Sequence, residues 1–374
     1  MKKIPAPRAV SWRNRARGRP RYRAALLAVL GFFSLAGCSG KQDAAAPPRS
    51  AGSQKLSIYQ WTYYTPDSIL EKFKKEYGCT LDYDNYTSNE ELYAKLQASG
   101  GGAGYDIVFP SGDYVSIMKT QGMLEKIDKS KLSNLGNIDP LILKRASYDP
   151  AMEYSVPYYF GAAGIVVNTN RVPDFERSWS IFARQDLKDK MTMLDDMREV
   201  LGDALAYLGR SVNTKDPNDI AQARDLVNNI WKPNLLKFDA DNMGKGFAQE
   251  DFWVVQSYVE AVYAEIDESQ KAYTAFFIPP EGGPAYIDSM CILKGAKNLD
   301  LAYKFIDFIH RPEIYAEFTD YFRFPSAVNI PARDLQTQTP HYTIEDLNNT
   351  ELKEDLGEDL ALYDQAWQSV RVGK

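Results

Sequence analysis

Lys55-Leu56-Ser57-Ile58-Tyr59-Gln60-Trp61 alternates apolar and polar positions, and after the loop Trp61 to Thr65 a proline, Pro66, opens a helix that runs to about Tyr77. The same alternation of elements then repeats. Cys79 to Tyr83 reads as a second strand, and Ser88-Asn89-Glu90-Glu91 as a capping box opening a helix through Leu92 and Leu96. Gly100 to Gly104 breaks that helix. Tyr105-Asp106-Ile107-Val108-Phe109-Pro110 is a third strand, with Ser111 or Asp113 starting the next helix. Strand, helix, strand, helix is the pattern of a parallel sheet covered on both faces. Function in such a sheet gathers where strands end and helices begin, which here means the loops 61–65, 86–89 and 110–114.

A second alternating set starts at about Ala163. It holds strands at Ile165 to Asn168 and Met191 to Leu194, helices near Val200 to Leu208 and Asp219 to Trp231, and the apolar stretch Phe252 to Tyr258. Ala275 to Ile278 and Tyr286 to Leu293 are strands on either side of Pro279-Pro280-Glu281-Gly282-Gly283-Pro284. Asn298 to His310 is amphipathic and stops at Arg311-Pro312; a last helix runs through Leu360 to Val370. No internal repeat or heptad is visible. With 374 residues, two domains are expected rather than one.

Composition narrows the partners. Charged residues make up 25 % and hydrophobic residues 44 %, typical of a globular protein. The first 37 residues hold nine Lys or Arg and no acid, so from Cys38 onward 35 basic residues face 50 acidic ones, a balance of -15. Such an acidic body argues against nucleic acid and is compatible with a cationic ligand, although acidity by itself also serves solubility. After the basic start, Ala24 to Ser34 is an apolar run of signal-peptide length, too short to span a bilayer. It ends in Leu35-Ala36-Gly37-Cys38, which resembles the bacterial lipobox, and that resemblance implies a lipid anchor on Cys38. Residues 1–37 are then the signal peptide and 38–54, rich in Ala, Pro, Ser and Gly, a flexible tether. Cys79 and Cys291 sit in separate strands and read as two buried free thiols.

Catalytic furniture is scarce. The two histidines, His310 and His341, read as surface or capping residues. The chain contains no phosphate loop, HExxH, paired CxxC or Gly-x-Ser-x-Gly elbow, and the glycines at 100–104 follow a helix rather than a strand. Leu194-Asp195-Asp196-Met197-Arg198-Glu199-Val200 is a strand-to-helix junction that puts two carboxylates, Asp196 and Glu199, three apart on one face. The plain reading is that Asp196 caps the helix and Glu199 complements its dipole. A glycosidase pair is set aside, because that mechanism needs its carboxylates on opposite sides of a bond. No enzyme, metal or cofactor is expected.

Six blocks together resemble a known family: Trp61-Thr62-Tyr63-Tyr64-Thr65-Pro66, Tyr105 to Ser111, Lys126-Ile127-Asp128-Lys129-Ser130-Lys131-Leu132, Ser155-Val156-Pro157-Tyr158, Asp195 to Val200, and Ile287-Asp288-Ser289. Their order and spacing are similar to the spermidine/putrescine-binding proteins of polyamine ABC importers, from about Leu56 to the C-terminus. The resemblance implies an α/β fold of the periplasmic-binding-protein type II, two α/β lobes with a ligand cleft between them. The lobes expected are 55–160 with 286–330 (N-terminal) and 161–285 with 331–374 (C-terminal), closing about a hinge. It implies a polyamine ligand (putrescine or spermidine), ABC permease and ATPase partners, and a monomer in the periplasm, lipid-anchored to a bacterial membrane.

Residue by residue, Trp61, Thr62 and Tyr64 match the loop that lies against the polyamine, and Ser111 the loop after the third strand. Asp196 and Glu199 match the carboxylates that hold one amine and Asp288 the one that holds another, with Tyr286 in place of the family's Trp. The chemistry suits the assignment: ammonium groups need anionic acceptors, and the methylenes between them need apolar walls that aromatic faces also make attractive to cations. Each ring taken alone also reads as half-buried packing, and Asp288 as a turn residue. There are departures too. Tyr63 stands where relatives often carry an acid, Asp113 where spermidine binders have Tyr, Gln256 near an expected Trp, Phe324 for a Tyr, and Lys353 about where a Gln would reach the ligand. Asp113 is expected to replace the carboxylate missing at Tyr63. If Lys353 enters the cleft it disfavours a long polyamine, and if it points to solvent it has no bearing. Carboxylates converging in a cleft repel one another, so acidification is expected to weaken binding. The alternatives are another cargo on the same fold (ferric ion held by Tyr63-Tyr64 and Tyr158-Tyr159, thiamine or a sugar), or a surface lipoprotein with a sensory or adhesive role.

Overall fold

The computed structural model describes residues 54–372 apart from 63, 101 and 103; the signal peptide, all of the tether but its last residue, Cys38 included, and Tyr63 lie outside the described residues. Chain order begins β1 (Lys55–Trp61), α1 (Asp67–Tyr77), β2 (Thr80–Tyr86), α2 (Asn89–Ala98), β3 (Ile107–Val108), α3 (Gly112–Thr120), α4 (Pro140–Arg145) and β4 (Val156–Ala162). β1 pairs in parallel with β2 on one side and β3 on the other. The two faces of β1 are both covered, so its polar positions are buried and must find partners. Ser57 donates its amide N–H to Asp106 (2.9 Å), whose other oxygen accepts from the amides of Lys297 and Asn298. Gln60, fully buried, accepts from the Thr65 hydroxyl (3.1 Å). Asp106 thus ties β1, the approach to β3 and the start of a later helix into one corner.

The expected boundaries hold where local chemistry sets them. α1 ends at Gly78, whose φ of 60° makes the left-handed cap that stops the helix before β2. Ser88 accepts from the Glu91 amide (3.1 Å) as a capping box requires, but the Glu91 carboxylate returns to Thr87 rather than to Ser88, so the box closes one residue early.

β5 (Gly164–Asn168) follows β4 after only Ala163, yet the two strands belong to different sheets. The second sheet joins β5 to β6 (Met191–Met193), β7 (Leu235–Phe238), β8 (Val254–Ser257) and β9 (Thr274–Phe277) in the order β7-β6-β8-β5-β9. Its helices are α5 (Met197–Tyr207), α6 (Pro217–Leu226), α7 (Met243–Ala248), α8 (Val259–Tyr263) and α9 (Glu268–Lys271). The expected single helix from Asp219 to Trp231 divides: α6 stops at Leu226 and a wider π turn carries Val227–Trp231. That turn seats the Trp231 ring, fully buried, 6.1 Å from Phe182 and 5.9 Å from Tyr207.

The chain then returns to the first sheet through β10 (Pro284–Ile292), all of it buried, which runs antiparallel to both β3 and β4. α10 (Leu299–Ile309), α11 (Pro312–Phe322) and α12 (Ile330–Arg333) follow, then β11 (Glu351–Leu352), which pairs with the start of β10, and α13 (Leu360–Val372). Both sheets are therefore mixed rather than purely parallel. Phe308, Ala332 and Leu347 belong to the core cluster around the first sheet, whereas Tyr363, Trp367 and Val370 of α13 belong to the cluster on the second. Val167 and Val254 face that second cluster; Val166 and Val255, one residue along the same strands, face the first, so the second sheet is buried on both sides. Cys79 and Cys291 are free and buried. His310 caps α10 but is buried against Tyr315 rather than on the surface, and burial pulls its pKa down to about 4.

The proline- and glycine-rich turn at 279–284 is a tight junction. Trp179 donates its indole N–H to the Gly282 carbonyl (2.7 Å) and Asn349 its side-chain amide to Pro280 (2.9 Å). Gly282 has a φ of 85°, and a Cβ there would lie 2.0 Å from the Asn349 carbonyl oxygen. Gly282→Ala is therefore expected to cost about 2 kcal/mol or more of stability, from left-handed strain plus a backbone clash. A thermal melt unchanged from the parent protein would refute that reading of the turn.

Candidate functional site

Both sheets present acidic side chains where their strands meet helices. On the first sheet the key residue is Asp288. The β10–β4 ladder shifts register between Asp288 and Ser289, and Asp288 also forms an isolated bridge with Ser111, the N-cap of α3. A bulge re-aims one side chain out of the regular alternation. Asp288 is 3 % exposed and is held by two hydroxyl donors, Ser111 to Oδ1 at 2.6 Å and Tyr64 to Oδ2 at 2.5 Å. Asn89 in turn donates to Ser111 Oγ (3.0 Å) and accepts from the Ser111 amide, fixing that hydroxyl. Burial drives the Asp288 pKa up to about 7, against the lowering pull of the two hydroxyls and of Lys353.

Aromatic rings surround this carboxyl group. Trp61 is pinned by its indole N–H on the Phe109 carbonyl (2.9 Å) and leans on Tyr86 at 4.8 Å. Tyr64 packs on Tyr158 (5.1 Å). Tyr286, two residues from Asp288 on β10, meets Tyr258 edge-on at 5.6 Å, and a Cβ on Gly161 would collide with its hydroxyl, so the glycine is what leaves room for the ring. Phe324 does not stand alone but stacks on Tyr159 (4.3 Å, 20°). Thr62 is exposed and bonds through its amide and hydroxyl to the Tyr86 carbonyl. Of the four tyrosines considered for a ferric site, Tyr63 lies outside the described residues and the other three are each engaged elsewhere. The Tyr64 phenol is on Asp288, that of Tyr158 on Thr65 and the Tyr64 carbonyl, and that of Tyr159 on Tyr342; burial raises all three pKa values well above the ordinary range, opposing the phenolate.

On the second sheet, Asp196 is the N-cap of α5 and accepts from the Glu199 amide (3.0 Å), as the plain reading of the junction has it; it is exposed. Glu199 goes further than a dipole partner. It is fully buried; Oε1 accepts from Lys353 Nζ (2.5 Å) and from the Tyr258 hydroxyl (3.1 Å), and Oε2 has no partner. Burial raises its pKa, and Lys353 opposes the rise. One turn along α5, Asp203 accepts from Gln256, which accepts in turn from the Leu194 amide (3.0 Å). Gln256 therefore braces the end of β6 against α5. Burial, then Glu199, push Asp203 well above the usual carboxylate range.

Lys353 points inward. Its amide donates to the Ala285 carbonyl on β10 (3.0 Å), while its ammonium reaches Glu199 on α5. Burial pulls its pKa down, but Glu199, Asp196 and Asp113 more than offset this, so it stays charged. Asp113, in the first turn of α3, has a buried Oδ1 without a partner; burial raises its pKa while Lys353 and then Arg198 hold it back. Asp113 is thus within electrostatic reach of Lys353.

Three side chains here, Asp203, Tyr258 and Glu260, were not singled out from sequence. Tyr258 and Glu260 lie at and just past the end of β8, and Glu260, half-buried, is pushed up to about 7 by burial with Asp288 adding to it. The strand-end position was the available signal, masked because 252–258 reads simply as apolar.

The chain matches the model of the bacterial extracellular solute-binding protein family over residues 68–343. It is 35 % identical over 328 residues to the spermidine/putrescine-binding periplasmic protein of Escherichia coli, covering 85 % of this chain and 92 % of that one. Among solved structures it is similar to the Tp0655 (TpPotD) lipoprotein of Treponema pallidum, with a TM-score of 0.82 and 51 % identity over 85 % of this chain and 99 % of that one. It is also similar to the spermidine/putrescine ABC transporter substrate-binding protein PotD of Streptococcus pneumoniae, with a TM-score of 0.75 and 29 % identity over 85 % and 99 %. The two-sheet α/β architecture expected from the resemblance is the one observed.

Proposed function

The chain belongs to the bacterial extracellular solute-binding protein family, and from that premise we propose that it binds a polyamine outside the cytoplasm and delivers it to an ABC import permease. The observation that carries this reading is a pairing of opposites. Buried carboxyl groups from the two sheets each meet a ring, Asp288 on β10 that of Tyr64 and Glu199 on α5 that of Tyr258, with Tyr286 packed on Tyr258 and Trp61 on Tyr86; among the described residues Asp288 has only neutral hydroxyl donors in contact with it. Ammonium groups suit such carboxylates and a methylene chain suits such rings, with each cation–ring contact worth about 0.5 to 2 kcal/mol. In this reading Trp61, Thr62, Tyr64, Ser111 and Tyr286 line the slot, Gln256 and Phe324 support it, and two lobes built on the two sheets close over the ligand.

The protein works by binding rather than by a chemical step, and one copy suffices. Lipidation of Cys38 would keep it on the membrane beside its permease; radiolabelled palmitate should enter the parent protein and not Cys38→Ala, and equal labelling would remove the anchor from this account. Titration calorimetry with putrescine, spermidine and spermine tests the central reading. Saturable binding of at least one at micromolar concentration is expected, and no heat from any of the three would overturn it.

A further inference from the structure

We propose that Lys353 supplies one of the cations that the acidic slot is built to hold, and thereby makes the protein select a diamine over a triamine. The inference rests on the polyamine reading and sharpens it. Lys353 leaves β11, a strand paired with the first sheet, and its ammonium crosses to Glu199 on α5 of the second, 2.5 Å away. Its side chain is 12 % exposed and that of Glu199 0 %, so the pair is withdrawn from water rather than lying on a rim. Asp196 and Asp113 act on the same ammonium, and Asp288 feels it from the other sheet. The nearby Arg198 is occupied otherwise, donating to the Glu354 carbonyl and to Asn213.

A tethered ammonium is present at high effective concentration and loses no translational freedom on binding Glu199. A free ligand amine must therefore displace it or sit beside it. A diamine can place an ammonium at Asp288 and stop short of Lys353, whereas the extra ammonium of a triamine is driven against a like charge. Repulsion of this kind is a recognised way to set specificity, because it penalises the wrong ligand without improving the right one.

The test is calorimetry with putrescine and spermidine on the parent protein, Lys353→Gln and Lys353→Arg, with thermal melts of all three. The parent should favour putrescine, and Lys353→Gln should shift the putrescine-to-spermidine affinity ratio toward spermidine by about tenfold or more, as expected for removal of a like charge. Lys353→Arg keeps the charge and should keep the preference, even if Lys353→Gln proves too unstable to titrate. A ratio unchanged in Lys353→Gln, or one relaxed equally in Lys353→Arg, overturns the inference while leaving polyamine binding intact. A parent protein that binds neither amine overturns both.

Discussion

Asp288→Asn is expected to weaken putrescine binding by roughly 100-fold or more, because truncating one partner of a buried, hydrogen-bonded charge pair costs about 2 to 5 kcal/mol. Asn matches the shape of Asp and can still accept from one of the two hydroxyls, Tyr64 or Ser111, that hold the carboxyl group. What it lacks is the negative charge. The same substitution should not destabilise the free protein at pH 8. The folded-state pKa of Asp288, about 7, lies above the ordinary value of 3.8, so between those values the native state holds more protons than the unfolded chain. Stability from this group is fully present below the unfolded pKa and falls as pH rises toward 7. Removing the charge removes that cost at pH 8. Loss of affinity with an equal or higher melting temperature is the expected signature. Retained affinity would remove Asp288 from the site, and a lower melting temperature would make it a structural residue instead.

Binding itself should depend on pH well above the ordinary carboxylate range. A dication at Asp288 stabilises the carboxylate, so a group that titrates at about 7 without ligand must release its proton on binding. Affinity should be level above pH 8 and fall about tenfold for each unit below 7, until the lowered pKa of the complex is reached. Glu260, also at about 7, steepens the fall if it too faces the ligand. Calorimetry at pH 6.5 in two buffers of different ionisation heat reads the released protons directly. Constant affinity from pH 8 to pH 5 would contradict the picture. Repulsion among converging carboxylates by itself already implies weaker binding in acid. The structure changes the cause: burial is the largest contribution at Asp113, Glu199, Asp203, Glu260 and Asp288. The onset accordingly moves up from the ordinary carboxyl pKa toward neutrality.

The strands and helices around the site were legible because their signals are local. Apolar periodicity located β1, β5 and α10 within a residue or two, the helix opened by Pro66 ends at Tyr77 as expected, and Asp196 declared itself as an N-cap. The spacing of Asp196 and Glu199 was legible too, but not their different fates: the cap residue points to water while Glu199, in the first turn of α5, is fully covered. Tyr258 and Glu260 were passed over since a strand end gives no sign of which ring or carboxylate the opposite sheet brings to it.

From residues alone came the alternation of elements, the two sets of them, the acidic body and the side-chain types that suit an organic cation, all of which depend on neighbours in the chain. Tertiary structure alone decided which carboxylates are buried, which are spoken for and which way Lys353 turns. Those outcomes depend on desolvation and on partners far away in sequence: Tyr64 with Asp288, Ser111 with Asp288, and Lys353 with Glu199, held together by a bulge in β10 and by the pairing of β10 with β11. Charge in a buried site is set by what encloses it, and enclosure is not written in any single stretch of sequence.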